Sequence, residues 1–169
     1  MNKILHLTLF LGTVSALAGG ALAFANDLTA PVIAKNKEIA EKKVLLEMYP
    51  DADANDFVAV DAQVDSKSIS KIYEYEDFYI FNMNVSGYKE GTNFLVSLNK
   101  ETQEIDSYKA ISNGDTKGIG SKVTEPAFAD SLTGKDANGQ LDTISGATVS
   151  SSPVVNGIHE AAQVAAKLK

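Results

Sequence analysis

A hydroxyl-rich segment, Asp142-Thr143-Ile144-Ser145-Gly146-Ala147-Thr148-Val149-Ser150-Ser151, carries the strongest chemical signal in the chain. Its serines and threonines surround one Gly-Ala pair. An apolar pattern of helical period follows at once: Pro153, Val154, Val155, Ile158, Ala161, Ala162, Val164, Ala165, Leu168. A turn of this composition feeding a helix is a place to hold a phosphate. The first N–H groups of a helix have no internal partner, and the helix dipole favours an anion there. Proline suits the first helical turn, so the spacing predicts a helix starting near Pro153 with Ser151 or Ser152 as N-cap. Spacing alone favours a plainer reading, a capped helix behind a turn with no ligand.

A second loop, Asn113-Gly114-Asp115-Thr116-Lys117-Gly118-Ile119-Gly120-Ser121-Lys122, follows a strand pattern. Gly118 and Gly120 are spaced as in some phosphate loops, but neither a Rossmann fingerprint nor a Walker lysine is present. Gly87-Tyr88-Lys89-Glu90-Gly91 marks a turn.

The run Asp142 to Ser151 resembles the flavinylation signature of the FMN-binding domain family. That family includes the G subunit of Rnf electron-transport complexes and the C subunit of Na+-translocating NADH:quinone reductases. Its Ser/Thr-Gly-Ala-Thr tetrad corresponds here to Ser145-Gly146-Ala147-Thr148, which implies a covalent FMN on Thr148 through a phosphoester bond. Asp142 matches the acidic residue before the tetrad, and Ser150 and Ser151 match the hydroxyls after it. The second loop resembles the family's Glu-Thr-Pro-Gly-Leu-Gly, which lies over the flavin ring. Asp115, Thr116, Gly118, Ile119 and Gly120 correspond, Asp115 shortening the Glu and Lys117 replacing the Pro. A cation at Lys117 that reached the flavin would favour the reduced, anionic ring. The turn at Gly87 to Gly91 resembles the family's Gly-Tyr-x-x-Gly loop. A phenylalanine before a Gly-Lys pair also recurs in the family, here Phe128, with the role of packing a short helix against the sheet.

A threonine hydroxyl is a weak nucleophile at neutral pH and needs a base or metal. No such machinery stands beside Thr148 in the sequence, so the resemblance implies a separate flavin transferase. It also implies other membrane subunits of an electron-transport complex as partners. No independent catalytic activity is expected of the chain, because an electron carrier leaves the chemistry to its cofactor. Two alternatives stand beside this reading. One is a free-standing extracytosolic flavoprotein of another electron-transfer chain, and the other an unflavinylated extracellular binding module. A serine hydrolase is remote, since Ser145 and Ser151 lie outside a Gly-x-Ser-x-Gly elbow.

Composition narrows the classes. The 169 residues carry 22 acidic against 15 basic side chains, a net charge of −7. Every basic residue is lysine, so bidentate guanidinium recognition of phosphate or bases is excluded. An acidic chain of this kind argues against nucleic-acid binding. The absence of cysteine excludes disulfides, thiolate-held iron–sulfur clusters and a lipoprotein anchor. His6 and His159 are too few and too far apart for a histidine metal site, so no metal is expected, and His159 is expected as a surface residue without a role.

The elements that must position these loops follow an α+β order. Ile4 to Ala25 is nearly unbroken apolar sequence behind Lys3, close to the ~20 residues of a bilayer-spanning helix. Lysine before the span places the N-terminus in the cytoplasm and the domain outside, as a single-pass anchor. A cleaved signal is the alternative, with small residues at Ala21, Ala23 and Ala25. Residues 26–50 read as a juxtamembrane amphipathic helix with Ile39, Ala40, Val44, Leu46 and Met48 on its apolar face, and Pro31 starting or kinking it. This juxtamembrane stretch also resembles that of Rnf G subunits. Residues 51–169 form the expected FMN-binding domain, an antiparallel β-meander packed with helices. Strands are expected at Phe57–Val60, Ser70–Glu76, Phe78–Tyr88, Thr92–Leu98 and Glu104–Ser112, with a hairpin connection at Asn99 to Thr102. Phe81, Met83 and Val85 should share one face, and Phe94, Val96 and Leu98 another, opposite Asn93 and Ser97.

Overall fold

Alternating burial builds the sheet in this computed structural model, which describes residues 2–62, 64 and 66–168. The chain divides into two compact units, Met1–Glu41 and Lys42–Lys169. Residues 3–41 of the first unit belong to helix α1, Lys3–Met48, whose last residues belong to the second. Its apolar residues are exposed all round, Phe10 at 67% and Leu17 at 69% among them. A helix apolar on every side and buried on none is suited to lipid, and this one is long and apolar enough to cross a bilayer. A secretory signal helix meets the same criterion. The juxtamembrane segment is not a separate helix. It continues α1 through Pro31, whose missing N–H costs only the bond to the exposed Asp27 carbonyl.

The second unit holds five antiparallel strands in the order β1-β2-β3-β4-β5: Val58–Ala59, Ile69–Tyr75, Phe78–Val85, Thr92–Asn99 and Ile105–Asn113. All five expected strands form, within a few residues of the expected ends. Period-two alternation sorts their side chains onto two faces. One face gathers Ile72, Phe81, Met83, Val85, Phe94, Val96, Leu98, Ile105 and Tyr108 under the helices. The other places Ile80 and Leu95 with Val44 and Leu45 of α1 and Phe57, flanked by Tyr73 and Tyr75. The α1 stripe therefore runs through Val44, Leu45 and Met48. Leu46 and Ile39, expected on it, point outward at 38% and 55% exposure. On this face Tyr49 donates to Asp106 Oδ2 at 2.6 Å and shares a 2.5 Å hydrogen bond with Ser97 Oγ. Burial and the Asp106 carboxylate push the Tyr49 phenol well above its ordinary pKa, so the hydroxyl stays a donor.

After β5 come a 3-10 helix, Gly120–Thr124, a short helix α2, Pro126–Leu132, and the helix α3, Thr148–Ala165. Phe128 of α2 stands edge-on to Tyr108 at 5.6 Å, packing the short helix against the sheet as expected. Tyr108 also donates its hydroxyl to Val123 O at 3.0 Å, tying β5 to the 3-10 helix. α3 lies close on the sheet because residue 157 is glycine: a Cβ there would stand 3.0 Å from Val85 Cγ1 and 3.3 Å from Met83 Cε.

Candidate functional site

α3 begins at Thr148, five residues before the expected start. Pro153 is inside the helix, and Ser151 and Ser152 are helical residues rather than caps. What sets the start is the turn before it. Ala147 N–H donates to Ile144 O at 2.9 Å, and Gly146 adopts φ +80°, a backbone conformation that glycine takes without strain. Ser151 Oγ accepts from Ile144 N–H at 2.9 Å and donates to Ala147 O at 3.1 Å, clamping the turn to the helix it precedes. Pro153 is tolerated because the carbonyl it leaves free belongs to Val149, an exposed residue that water can reach.

The helix start is left without a side-chain cap: position 147 is alanine and supplies no hydrogen bond. Replacing a capping side chain by alanine typically costs about 0.5–2 kcal/mol, which a bound anion can offset at the same N–H groups. Thr148 and Ser145 are exposed there, whereas Ser150 and Ser151 are 3% and 0% exposed and face inward. Asp142 is exposed and paired with Lys135 Nζ at 2.8 Å, and that lysine holds its carboxyl below the usual range.

Asp115 is turned into the protein at 9% exposure. Its Oδ1 accepts from Lys89 N–H at 2.9 Å and Gly91 N–H at 3.3 Å, and its own N–H donates to Asn113 Oδ1 at 3.1 Å. Its Oδ2 is buried without a hydrogen bond of normal geometry. Burial raises the Asp115 pKa, but the Ser150 hydroxyl and the N–H groups of Lys89, Gly91 and Tyr88 outweigh it and hold the carboxyl below its usual value. Both flanking glycines are required for space. A Cβ at Gly87 would lie 2.1 Å from Asp115 Oδ2, and one at Gly120 would lie 2.5 Å from Ser150 Oγ and 2.6 Å from Asp115 Cβ. The turn at 87–91, the loop at 115–120 and the first turn of α3 therefore converge on one carboxylate. Thr116 O receives the N–H groups of Ile119 and Ser121, and Gly118 N–H donates to Ser121 Oγ at 2.8 Å. Ile119 is left exposed at 52%, beside Lys117 and Gly118, which are also exposed.

Asn113 and Ser121 carry no site role in the sequence reading, yet each fixes this loop. The Asn-x-Asp spacing is the available signal, since asparagine commonly bonds the backbone two residues on. His159, expected without a role, is half-buried with Nε2 3.1 Å from Gly139 O, joining α3 to the turn before the hydroxyl-rich segment. Among the described residues no cluster of three His, Asp or Glu side chains is placed to hold a metal ion.

Residues 87–163 match the FMN-binding domain family. The match begins at the Gly87 turn, takes in the Asp115 to Gly120 loop and the hydroxyl-rich segment, and ends within α3. Similar proteins include the G subunit of an ion-translocating oxidoreductase complex from Methanosarcina acetivorans, 26% identical, with 88% of this chain and 87% of that one aligned. The G subunit of a proton-translocating ferredoxin:NAD(+) oxidoreductase complex from Clostridium ljungdahlii is 24% identical, with 96% of this chain and 91% of that one aligned.

The residues present fit FMN. An uncapped helix start suits a phosphate, exposed hydroxyls stand at it, and beyond its chain neighbours no atom lies within 4 Å of where a side chain at Gly146 would begin, leaving the backbone open to approach. A groove of about 420 Å³ lies nearby, between β5 and the 3-10 helix.

Proposed function

We propose that the chain is a membrane-anchored electron-transfer subunit bearing FMN covalently on Thr148, part of an Rnf-type ion-translocating ferredoxin:NAD oxidoreductase complex. The observation that carries the reading is the exposed Thr148 hydroxyl at the first residue of an uncapped helix, inside the segment that matches the FMN-binding domain family. Similarity to two G subunits over most of both chains supports the complex, and helix α1 supports the anchor. The N-terminus is then cytoplasmic and the domain extracytoplasmic.

Bound FMN supplies reversible electron transfer. The chain's own residues hold and orient it. The N–H groups opening α3 face the phosphate, and Gly146 keeps the backbone accessible to a flavin transferase during maturation. Ser145 lies beside the attachment point, and Asp142, Ser150 and Ser151 fix the segment around it. Asp115 anchors the loop that presents Thr116, Gly118, Ile119 and Gly120 toward the ring, with Ile119 covering an apolar ring face. A covalent tether removes cofactor loss and lets a ring edge stay exposed to redox partners among the other membrane subunits.

Co-expression with a flavin transferase tests this. The expected product is a yellow, fluorescent polypeptide that survives denaturation and whose mass is raised by one FMN less water, with both features lost in Thr148→Val. A colourless chain of unmodified mass in the presence of active transferase overturns the reading.

A further inference from the structure

We propose that the groove along the free edge of β5 receives the pyrimidine edge of the flavin ring, and that Lys117 is the residue there that sets the ring's reduction potential. The proposal rests on the FMN reading above and adds the ring's seat and the group that tunes it.

The groove is lined by residues 110–112 of β5 and by Asn113, Asp115, Lys117, Ser121 and Thr124, with a volume of about 420 Å³. That lies within the range of small-molecule sites, about 300–1,000 Å³. β5 is an edge strand. Its beginning is covered, since Ile105 exchanges backbone hydrogen bonds with Gly134 and Lys135. Farther along, among the described residues, no backbone hydrogen bond from outside the sheet reaches residues 107–112. An uncovered edge alternates N–H donors and C=O acceptors. The pyrimidine side of an isoalloxazine presents acceptor, donor and acceptor in a row, at its C2 carbonyl, N3–H and C4 carbonyl. The two edges are chemically complementary. One of its lining residues, Asp115, is held by the Ser150 hydroxyl, two residues beyond Thr148.

Two-electron reduction of the ring at neutral pH takes up two electrons and one proton, which goes to N5, and leaves a negative charge spread over N1 and the C2 oxygen. At lower pH a second proton binds N1. A cation at the pyrimidine edge stabilises the charged reduced form and leaves the neutral oxidised ring almost unaffected. Lys117 is the groove-lining lysine. The other charges on the surrounding elements are Asp115, held by backbone N–H groups, Glu90, whose side chain lies against Gly114, Lys122 on the 3-10 helix, Glu125 at the start of α2, and Lys109 on β5, paired with Glu47 at 2.5 Å. Lys117 is exposed, so solvent limits its effect to a modest one.

The test is an equilibrium dithionite titration, with reference dyes, of the flavinylated full chain in detergent, for wild type, Lys117→Met, Lys117→Arg and Lys122→Met. At a fixed solution potential, Lys117→Met should lower the ratio of reduced to oxidised flavin about three- to tenfold. The pH at which uptake changes from one proton to two should move upward. Lys117→Arg should behave as wild type and Lys122→Met should shift far less. The difference should shrink at 1 M salt, where screening acts over about 3 Å. Flavinylated Lys117→Met with an unchanged ratio and pH break overturns the proposal while leaving the FMN reading intact. Equal shifts in the Lys117 and Lys122 variants also overturn it, by reducing the effect to general surface charge. A chain that takes no flavin from the transferase defeats the FMN reading and this proposal with it.

Discussion

Replacing Asp115 by alanine removes the group on which three segments converge, and the cost can be worked from its partners. Oδ1 accepts from Lys89 N–H at 2.9 Å and Gly91 N–H at 3.3 Å. A hydrogen bond to a charged group contributes about 1.5–3 kcal/mol, and the longer Gly91 bond belongs below that range. Lys89 is exposed, so water replaces its lost partner. Gly91 is buried, and an orphaned buried N–H costs about 1–3 kcal/mol. The sum for Asp115→Ala is about 2–4 kcal/mol of stability. Asp115→Asn keeps an acceptor oxygen at the same place and loses only the charge, so about 1 kcal/mol is expected. The pH dependence has a definite sign. The folded-state pKa lies below the unfolded value, so the contribution is complete above the ordinary carboxylate value of ~3.9 and is lost as pH falls through the lower folded value. The gap between wild type and Asp115→Asn should therefore be constant at neutral pH and narrow in the acid window below ~3.9. Urea unfolding gives the global cost, and amide hydrogen exchange at Lys89 and Gly91 gives the local one. Stability of Asp115→Ala within about 0.5 kcal/mol of wild type, with both amides still protected, would refute the reasoning.

Two further substitutions separate backbone geometry from packing. Gly146→Ala places a Cβ in open space but at φ +80°, so its cost is the left-handed backbone penalty alone, about 1–2 kcal/mol, and flavin attachment by the transferase should slow; unchanged stability and unchanged labelling would contradict this. Tyr108→Phe removes the 3.0 Å bond to Val123 O inside the core, and should cost about 1–2 kcal/mol in urea unfolding, since the carbonyl of a fully buried residue loses its donor; no measurable loss would show that the hydroxyl does not hold the 3-10 helix.

The sheet is legible in the sequence because each strand has a different neighbour on each face. Phe94, Val96 and Leu98 meet the helices, while Leu95 and Ser97 meet the end of α1, and that difference is written as alternation. The pairing of Tyr49 with Ser97 and Asp106 is not legible, since it joins segments about fifty residues apart through side chains that look ordinary in isolation. The start of α3 departs from expectation because proline and serine preferences at helix starts are averages. Here a left-handed glycine and a buried serine reaching back to Ile144 outweigh them. The inward turn of Asp115 is hidden for a similar reason. An acidic residue in a glycine-rich loop reads as exposed, and only the approach of the 87–91 turn and of Ser150 gives it partners.

The hydroxyl-rich segment divides its labour by direction. Ser150 and Ser151 are withdrawn from solvent and used up in holding the turn and the Asp115 knot, so neither is free to be modified. Ser145 and Thr148 are exposed, and they differ in their support. Ser145 precedes Gly146, in a turn outside the helix, whereas Thr148 is the first residue of a helix of 18 residues whose next turns are buried in the core. A group attached at Thr148 is therefore carried on the helix itself and beside the N–H groups of its first turn, which favour a phosphate charge. A group at Ser145 would ride on the turn. A relay that must hold a ring at fixed distance from its partners needs the first arrangement, and the inward-facing Ser151 ties the turn before the outward-facing threonine to the helix that carries it.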